Sequence, residues 1–447
     1  MLGSIYECIH ELEDIVSTNK NKIWQHMDKM LGINKATTVN IDKTALNDYY
    51  AKVFFDETAT LRDEVRAPNR VPSTTPCMYV SVDEVRDAMG RSQRKKACGA
   101  DGFPAGLVKD LCKSDEFTCT LTMFINLCIK YAWWPDCWNE LLITPILKPG
   151  KDPALPPSYR PIHIASVIAK IVSIVTEKKV RQAMHKCYVQ MGFTEYYGTR
   201  DGIFTLFSCI DRYIQQGLFV TFVDFKAAFD SIDRALLIQK LRDMHILDDA
   251  WIDFIDVMHR NVRACVNGTS TLFEENVGVK QGDPLGPLLF ILYIHDLGKT
   301  LSKSADPDMI ALSHRIIRCI LYADDLALFS RTAKGMQHQL DTLSAYCEQY
   351  KLTVNVEKTK GIYIHRGRFH DCMIPVLMYR SECIEMVKRF TYLGVLVNEH
   401  GTMDEHIDNV LSKFRRAMYA CIDRVLRMSK DSPLHVSTSF SWRMLGQ

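Results

Sequence analysis

The stretch Ile320-Leu-Tyr-Ala-Asp-Asp-Leu-Ala-Leu-Phe-Ser330 sets two adjacent aspartates inside an apolar, strand-like run. An ionised carboxylate buried without a partner is costly, so the pair demands solvent, cations or a metal. In one continuous strand the two side chains would point to opposite faces. A tight turn between strands at 319–322 and 326–329 instead brings both carboxylates to a hairpin tip at a sheet edge. Upstream, a second apolar run, Phe219-Val-Thr-Phe-Val-Asp224, also ends on an aspartate and continues to Phe229 and Asp230. Two strand-end aspartate sites paired side by side would form an oxygen-rich pocket suited to Mg²⁺, which is usually held by one or two carboxylates plus substrate phosphates. Two such ions about 3.5–4 Å apart can clamp an in-line displacement at phosphorus. Taken alone, an Asp-Asp pair after an apolar strand fits an ordinary turn better.

At 447 residues the chain exceeds the usual reach of one core, so two or three lobes are expected. A formal net charge of +2 neither demands nor excludes a nucleic-acid partner, which leaves that role to local basic patches. The fifteen cysteines contain no Cys-x-x-Cys pair, and Cys112, Cys119, Cys128 and Cys137 are spaced too widely for a zinc knuckle. Reduced thiols without disulfides are expected. The N-terminus is acidic early, and the longest apolar segment, 162–175, carries His163 and Lys170 and is too short to span a bilayer. The expectation is an intracellular chain, nuclear or cytoplasmic, without a membrane span.

Residues 1 to about 60 read as helical, with nothing that suggests chemistry. Three prolines within 67–76 mark a linker, and Ser81-Val-Asp-Glu84 fits a capping box opening the next helix. Helices are expected to dominate as far as about 215, broken by Trp134-Pro135 and by an extended, proline-rich stretch at 143–157. From 218 short β-branched runs take over: 218–223, then 263–266 and 271–277 about an Asn267-Gly268 turn, then 319–322 and 326–329. Further strand candidates are 352–356 and 361–364, with helices at 234–260, 285–301, 334–350 and after Met403. Strands mixed with helices in no regular alternation imply an α+β sheet domain.

Three segments, Phe222-Val-Asp224-Phe-Lys-Ala-Ala-Phe229-Asp230, Gly278-Val-Lys-Gln281-Gly282-Asp-Pro284 through Phe290, and Tyr322-Ala-Asp324-Asp325, resemble in order and spacing the reverse transcriptases of non-LTR (LINE-type) retrotransposons. Gly99-Ala-Asp101-Gly-Phe-Pro104, Ile143 to Lys148 and Tyr159-Arg160-Pro161-Ile162 resemble that family's fingers segments. Leu352 to Lys360 and Tyr392-Leu393-Gly394-Val395 resemble its later palm segments. The resemblance implies a right-hand polymerase fold. Its parts would be an N-terminal connector remnant and linker at 1–75, helical fingers at 76–217, an antiparallel-sheet palm flanked by helices at 218–400, and a partial helical thumb at 401–447. It also implies RNA-directed DNA polymerase activity using two Mg²⁺ ions, with Mn²⁺ as a substitute, and an RNA template, a DNA primer and dNTPs as partners.

Carried over position by position, the resemblance makes Asp224 and Asp324 the main metal ligands, helped by the Phe225 carbonyl, with Asp325 either a ligand or a support. Phe229 stands where an aromatic ring would collide with a ribonucleotide 2′-OH; a core phenylalanine is the alternative. Gln281-Gly282 open a loop in which the glycine allows close backbone approach and the amide can bond nucleotide or template, against a simple turn and helix start. Arg160 and Lys148 would hold the incoming triphosphate, and Lys358 would protonate or neutralise the leaving pyrophosphate. For each of the three a solvated surface charge is the alternative. Tyr392, Leu393 and Gly394 fall in the primer-grip region. Primer and template contacts would go mostly to phosphates, with Arg94, Lys95, Lys96, Lys413, Arg416, Arg424 and Arg427 as candidates; for any one of these a solvated face is the plainer reading. Glu195 and Tyr196 depart from the family, standing where basic or small residues are usual. With no endonuclease ahead of it and a short thumb, the chain reads as a fragment, a degenerate copy or a domesticated product. A non-catalytic nucleic-acid-binding remnant therefore stands beside the active polymerase. An RNA-dependent RNA polymerase would share the chemistry, but Phe229 argues against it.

Overall fold

In the computed structural model, residues 41–59, 79–91, 98–184, 190–303, 310–312, 315–366 and 375–430 are described. Two hairpins frame a four-stranded sheet. β1 (Glu140–Leu147) and β2 (Tyr159–Ile164) run antiparallel, and after β3 (Leu218–Val223), which belongs to another sheet, come β4 (Val262–Val266) and β5 (Phe273–Glu275). β1 joins β4 in parallel, giving the order β2-β1-β4-β5. A short ribbon, β6 (Ala311–Leu312) and β7 (Arg315–Ile316), precedes the central hairpin of β8 (Cys319–Tyr322) and β9 (Asp325–Ser330). With β10 (Lys360–Ile364), β11 (Leu377–Tyr379) and β12 (Glu382–Met386) these build a six-stranded sheet of order β11-β12-β10-β3-β9-β8. All its pairings are antiparallel except β10 with β12. A last hairpin, β13 (Arg389–Tyr392) and β14 (Val395–Asn398), forms its own two-stranded sheet.

The central strands read as continuous apolar runs because both faces of the sheet are covered. Along β3, Leu218, Val220 and Phe222 enter one hydrophobic cluster with Ala327 and Phe329, while Phe219 and Val223 enter another with Leu326 and Leu328. Helix α1 (Lys43–Val53) lays Leu46 and Tyr50, with Phe54 just beyond, onto the four-stranded sheet against Leu141, Ile143 and Val262. That spacing of four marks one helical face. Its buried Asn47 accepts from Val266 N (2.8 Å) and donates to Thr271 O (3.1 Å), which staples the β4–β5 connection.

Helix α2 (Val82–Gly90) opens with the expected capping box: Ser81 Oγ accepts from Glu84 N, and Glu84 accepts from Ser81 N. Glu84 also pairs with Lys179 at 2.9 Å. With α3 (Ala105–Leu111), α4 (Asp115–Tyr131) and α5 (Val167–Ala183), α2 packs into the largest core. α6 (Thr199–Tyr213) covers the other sheet face. The helix expected at 234–260 divides into α7 (Arg234–Met244) and α8 (Asp249–Met258), because His245 takes φ 51 as a left-handed cap and Asp248 caps the restart. The 285–301 helix likewise becomes α9 (Gly286–Tyr293) and α10 (Leu297–Lys303), followed by α11 (Ala333–Gln349) and α12 (Asp404–Lys430). Val39–Met403 form one compact unit, and α12 belongs to a second.

Two expectations need correction. The 76–217 region is not purely helical, since the proline-rich stretch enters β1 and pairs with β2 on one side and β4 on the other. Residues 352–356 form no strand but a single antiparallel bridge, Phe225 with Val354.

Candidate active site

The paired strands β3 and β9 bring the aspartates together. Their register ends at Val223 opposite Leu326, so Asp224 leaves the sheet beside Asp325. Tyr322 pairs with Asp325, leaving Ala323 and Asp324 as the hairpin turn. The segment 353–359 holds the Asp224 main chain: Asn355 N donates to Asp224 O (2.7 Å), Asp224 N donates to Thr359 Oγ1 (3.3 Å), and Lys226 N donates to Thr353 O (2.8 Å). This pattern turns the intervening Phe225 carbonyl away from that segment. Asp224 Oδ2 is buried and accepts no hydrogen bond; Lys358 Nζ stands 3.4 Å from it.

Electrostatics in this corner favour a cation. Loss of water raises the Asp324 pKa, and Asp224 raises it further. Asp325 is exposed at its surface, yet neighbouring protein together with the charges of Asp324 and Asp224 pushes it up to about 6. Of those causes, the facing carboxylates are the ones consistent with its exposure. A buried carboxylate oxygen that accepts no hydrogen bond, beside mutually repelling acids, fits a divalent ion. Among the described residues no three His, Cys, Asp or Glu side chains are close enough to hold a metal by themselves. Mg²⁺ is commonly held by only one or two carboxylates, with water and phosphate oxygens completing its shell.

A cavity of about 530 Å³ opens over Asp224 and Asp324. Lys148, Arg160 and Lys358 line it, as do Phe229, Gln281 and Gly282, so the site residues read from separate segments share one space. Lys148 donates to Pro157 O (2.8 Å); loss of water and the charges of Arg160 and Lys358 lower its pKa. Convergent cations of this kind favour a polyanion. Phe229 is half-buried and packs on Phe290 at 4.6 Å between ring centres, so one ring serves both core and cavity wall. Gln281 donates from Nε2 to Asp230 Oδ1 (2.7 Å), and its carbonyl accepts from His163 N (2.8 Å). Gly282 sits at φ +104, where a Cβ would come 3.0 Å from His163 O; only glycine takes this close approach without strain.

Below this loop is a charged layer that sequence reasoning missed. His163 Nε2 meets Glu275 Oε1 at 2.9 Å, both fully enclosed, and Arg234 donates to the carbonyls of Glu275, Val277, Gly278 and His259. Asp230 is pushed up to about 6, chiefly by burial. The place of helix α1 at the site was also missed: Tyr49, Tyr50 and Val53 line the cavity, although nothing in residues 1 to about 60 suggests chemistry in the sequence. The one available signal was the apolar spacing 46, 50, 54, which identifies a packed helix but not what it faces.

Other expected residues lie elsewhere. Asp325 does not line the cavity. Tyr392 is only 3% exposed, its ring 5.0 Å from Phe222, so its side chain is core and the surface of that hairpin falls to the Leu393-Gly394 turn, at φ 47 and 85. Lys413 and Arg416 are exposed on α12; Arg424 and Arg427 fall in the same helix, beyond its described side chains. Arg94, Lys95 and Lys96 lie outside the described residues. Ten cysteines among the described residues are free thiols, and no described helix is long and apolar enough to cross a membrane.

The chain belongs to the reverse transcriptase (RNA-dependent DNA polymerase) family, whose model matches residues 146–397, more than half of its length. It is 24% identical over 361 residues to the RNA-directed DNA polymerase from mobile element jockey of Drosophila melanogaster, covering 76% of this chain and 37% of that protein. To the probable RNA-directed DNA polymerase from transposon BS of the same species it is 25% identical, covering 74% and 37%. To the Pol polyprotein of the type-2 retrotransposable element R2DM it is 27% identical, covering 54% and 23%. The resemblance to the reverse transcriptases of non-LTR retrotransposons holds, and the chain spans little more than a third of the length of such relatives. A solved apo telomerase from Candida tropicalis, truncated from its C-terminal domain, aligns with TM-score 0.42 at 15% identity over 64% of this chain and 60% of that one.

Proposed function

We propose that this chain carries an RNA-directed DNA polymerase, adding deoxynucleotides from dNTPs to a DNA primer 3′-OH on an RNA template. One observation carries the reading: Asp224, Asp324 and Lys358 share a single cavity with Lys148, Arg160, Gln281 and Phe229. On this reading the six-stranded sheet is the palm, the β1–β2 hairpin with the helices before it the fingers, and α12 part of a thumb. Asp224 and Asp324 would hold two Mg²⁺ ions, or Mn²⁺ in their place, helped by the Phe225 carbonyl. Bound there, the ions would acidify the primer hydroxyl and neutralise the departing pyrophosphate.

The chain's own residues do the rest. Arg160 and Lys148 bind the triphosphate through charge-assisted hydrogen bonds and keep it in line with the primer end. Gly282 lets the backbone come close to the nucleotide, and Gln281, anchored on Asp230, orients it. Phe229 closes the space that a 2′-OH would need. Lys358, positioned beside Asp224, gives a proton to the leaving pyrophosphate or balances its charge. The test is primer extension on an RNA template with Mg²⁺ and the four dNTPs: incorporation is expected, and none by folded protein would overturn the proposal.

A further inference from the structure

We propose that Gln190 is a positioning residue for Asp324: its buried amide locks the turn of the β8–β9 hairpin so that the Asp324 carboxylate is held over the cavity. The inference rests on the reading of Asp324 as a metal-holding group.

Gln190 is 2% exposed, yet it belongs to no helix or named strand. Its Oε1 accepts from Ala323 N (3.0 Å) and from Gly192 N (2.8 Å), and its Nε2 donates to Ala323 O (3.3 Å). Two of these three bonds reach 133 residues along the chain, to the residue immediately before Asp324. They serve the hairpin turn as well as the glutamine's own loop. The backbone adds to the hold, since Met191 N donates to Leu321 O (2.8 Å) and Gln190 bridges Leu321.

The turn needs such a hold. A two-residue hairpin turn favours glycine or asparagine where φ is positive, but here alanine takes φ 56. With Ala323 N and O bonded to one amide, that conformation is favoured over the alternatives. Gly192 shows how closely the segments fit. A Cβ there would lie 2.2 Å from Ala323 N and 2.8 Å from Tyr322 C, backbone atoms that cannot swing aside. Glutamine suits the task because one uncharged group supplies both the acceptor and the donor that a peptide unit requires, and it adds no further negative charge beside Asp224, Asp324 and Asp325.

The experiment compares the full chain with Gln190→Met, Gln190→Glu and Asp324→Asn. Four quantities are measured: thermal midpoint, primer–template affinity, single-nucleotide kcat and KM, and Mn²⁺ half-saturation by electron paramagnetic resonance. Gln190→Met keeps the volume and removes all three bonds. It is expected to lower kcat about a hundredfold, the usual effect of a small misplacement, and to raise the Mn²⁺ half-saturation, with dNTP KM and primer–template affinity unchanged. Gln190→Glu keeps the oxygen that accepts from Ala323 N and Gly192 N, two of the three bonds, and is expected to recover part of the loss. A folded Gln190→Met with wild-type kcat and wild-type Mn²⁺ half-saturation overturns the inference. So does a folded Gln190→Glu with both as poor as in Asp324→Asn, which decides the matter alone if the methionine variant fails to fold. Full activity and Mn²⁺ binding in Asp324→Asn would instead remove the reading of the site on which the inference rests. The Mn²⁺ measurement needs no turnover.

Discussion

Phe229 joins two roles that looked like alternatives, because a half-buried ring packed on Phe290 can support the core with one face and restrict the cavity with the other. Phe229→Ala is expected to lower the preference for dNTP over rNTP about tenfold to a hundredfold, measured as a ratio of kcat/KM values. It should also cost about 1–2 kcal/mol in denaturant unfolding, less than a fully buried Phe-to-Ala truncation. An unchanged nucleotide preference would leave only the packing role. The His163–Glu275 pair predicts a pH dependence. Burial resists the charge on His163, but Glu275 outweighs it and raises the pKa above 6.5. Burial likewise resists the charge on Glu275, but His163, Arg234 and Lys280 lower its pKa below 4.5. A raised histidine gives stability that is complete below about 6.5 and lost as pH climbs through its folded value; a lowered glutamate gives stability that is complete above about 4.5 and lost as pH falls through its own. The extra melting temperature of wild type over the His163→Asn/Glu275→Gln double variant should therefore be greatest between about 4.5 and 6.5. A difference that is flat with pH would show the pair to be neutral. Asp224 and Asp324 were legible in the sequence because carboxylates stand out in apolar runs. Asp230, His163 and Glu275 were not, since each takes its meaning from a partner 51 or 112 residues away.

At the level of elements, Arg234 at the start of α7 donates to three carbonyls on the run from β5 towards the Gln281 loop, those of Glu275, Val277 and Gly278, and to His259 O at the end of α8, which fastens the run to both helices. A lysine has fewer donors and no planar fork, so Arg234→Lys is expected to destabilise the protein by about 2–4 kcal/mol and to raise dNTP KM, because the strand it releases leads into the cavity wall. Chemical denaturation and nucleotide titration check the two halves separately, and a stable variant with unchanged KM would contradict the account. The strands that pattern reasoning found, β3, β4, β8, β9 and β10, carry β-branched or alternating runs. β1 was legible only as part of an extended, proline-rich stretch, and its pairing with β2 and β4 was not, because prolines within a run argue against a strand. Helix α1 was visible as a helix, but its place against the four-stranded sheet depends on Asn47 reaching the β4–β5 connection, a contact 219 residues apart in sequence.

For the whole molecule, near-neutral net charge conceals a local separation in which Lys148, Arg160 and Lys358 face a carboxylate cluster within one compact unit. The matched region, 146–397, contains that cluster and those cations but not α1, whose tyrosines complete the cavity wall. Tyr49→Ala is thus expected to raise dNTP KM severalfold at near-constant kcat, since uniform binding is what a wall residue supplies. On this reading Asp224 and Asp324 drive nucleotide addition in this cavity. Single-nucleotide extension of a DNA primer on RNA with Mg²⁺, comparing wild type with Asp224→Asn and Asp324→Asn at matched primer–template binding, tests it most directly. Incorporation by wild type is expected, with a loss of at least about a thousandfold in kcat for each variant and binding retained. Equal rates in all three proteins, or binding without synthesis by the wild type, would contradict it.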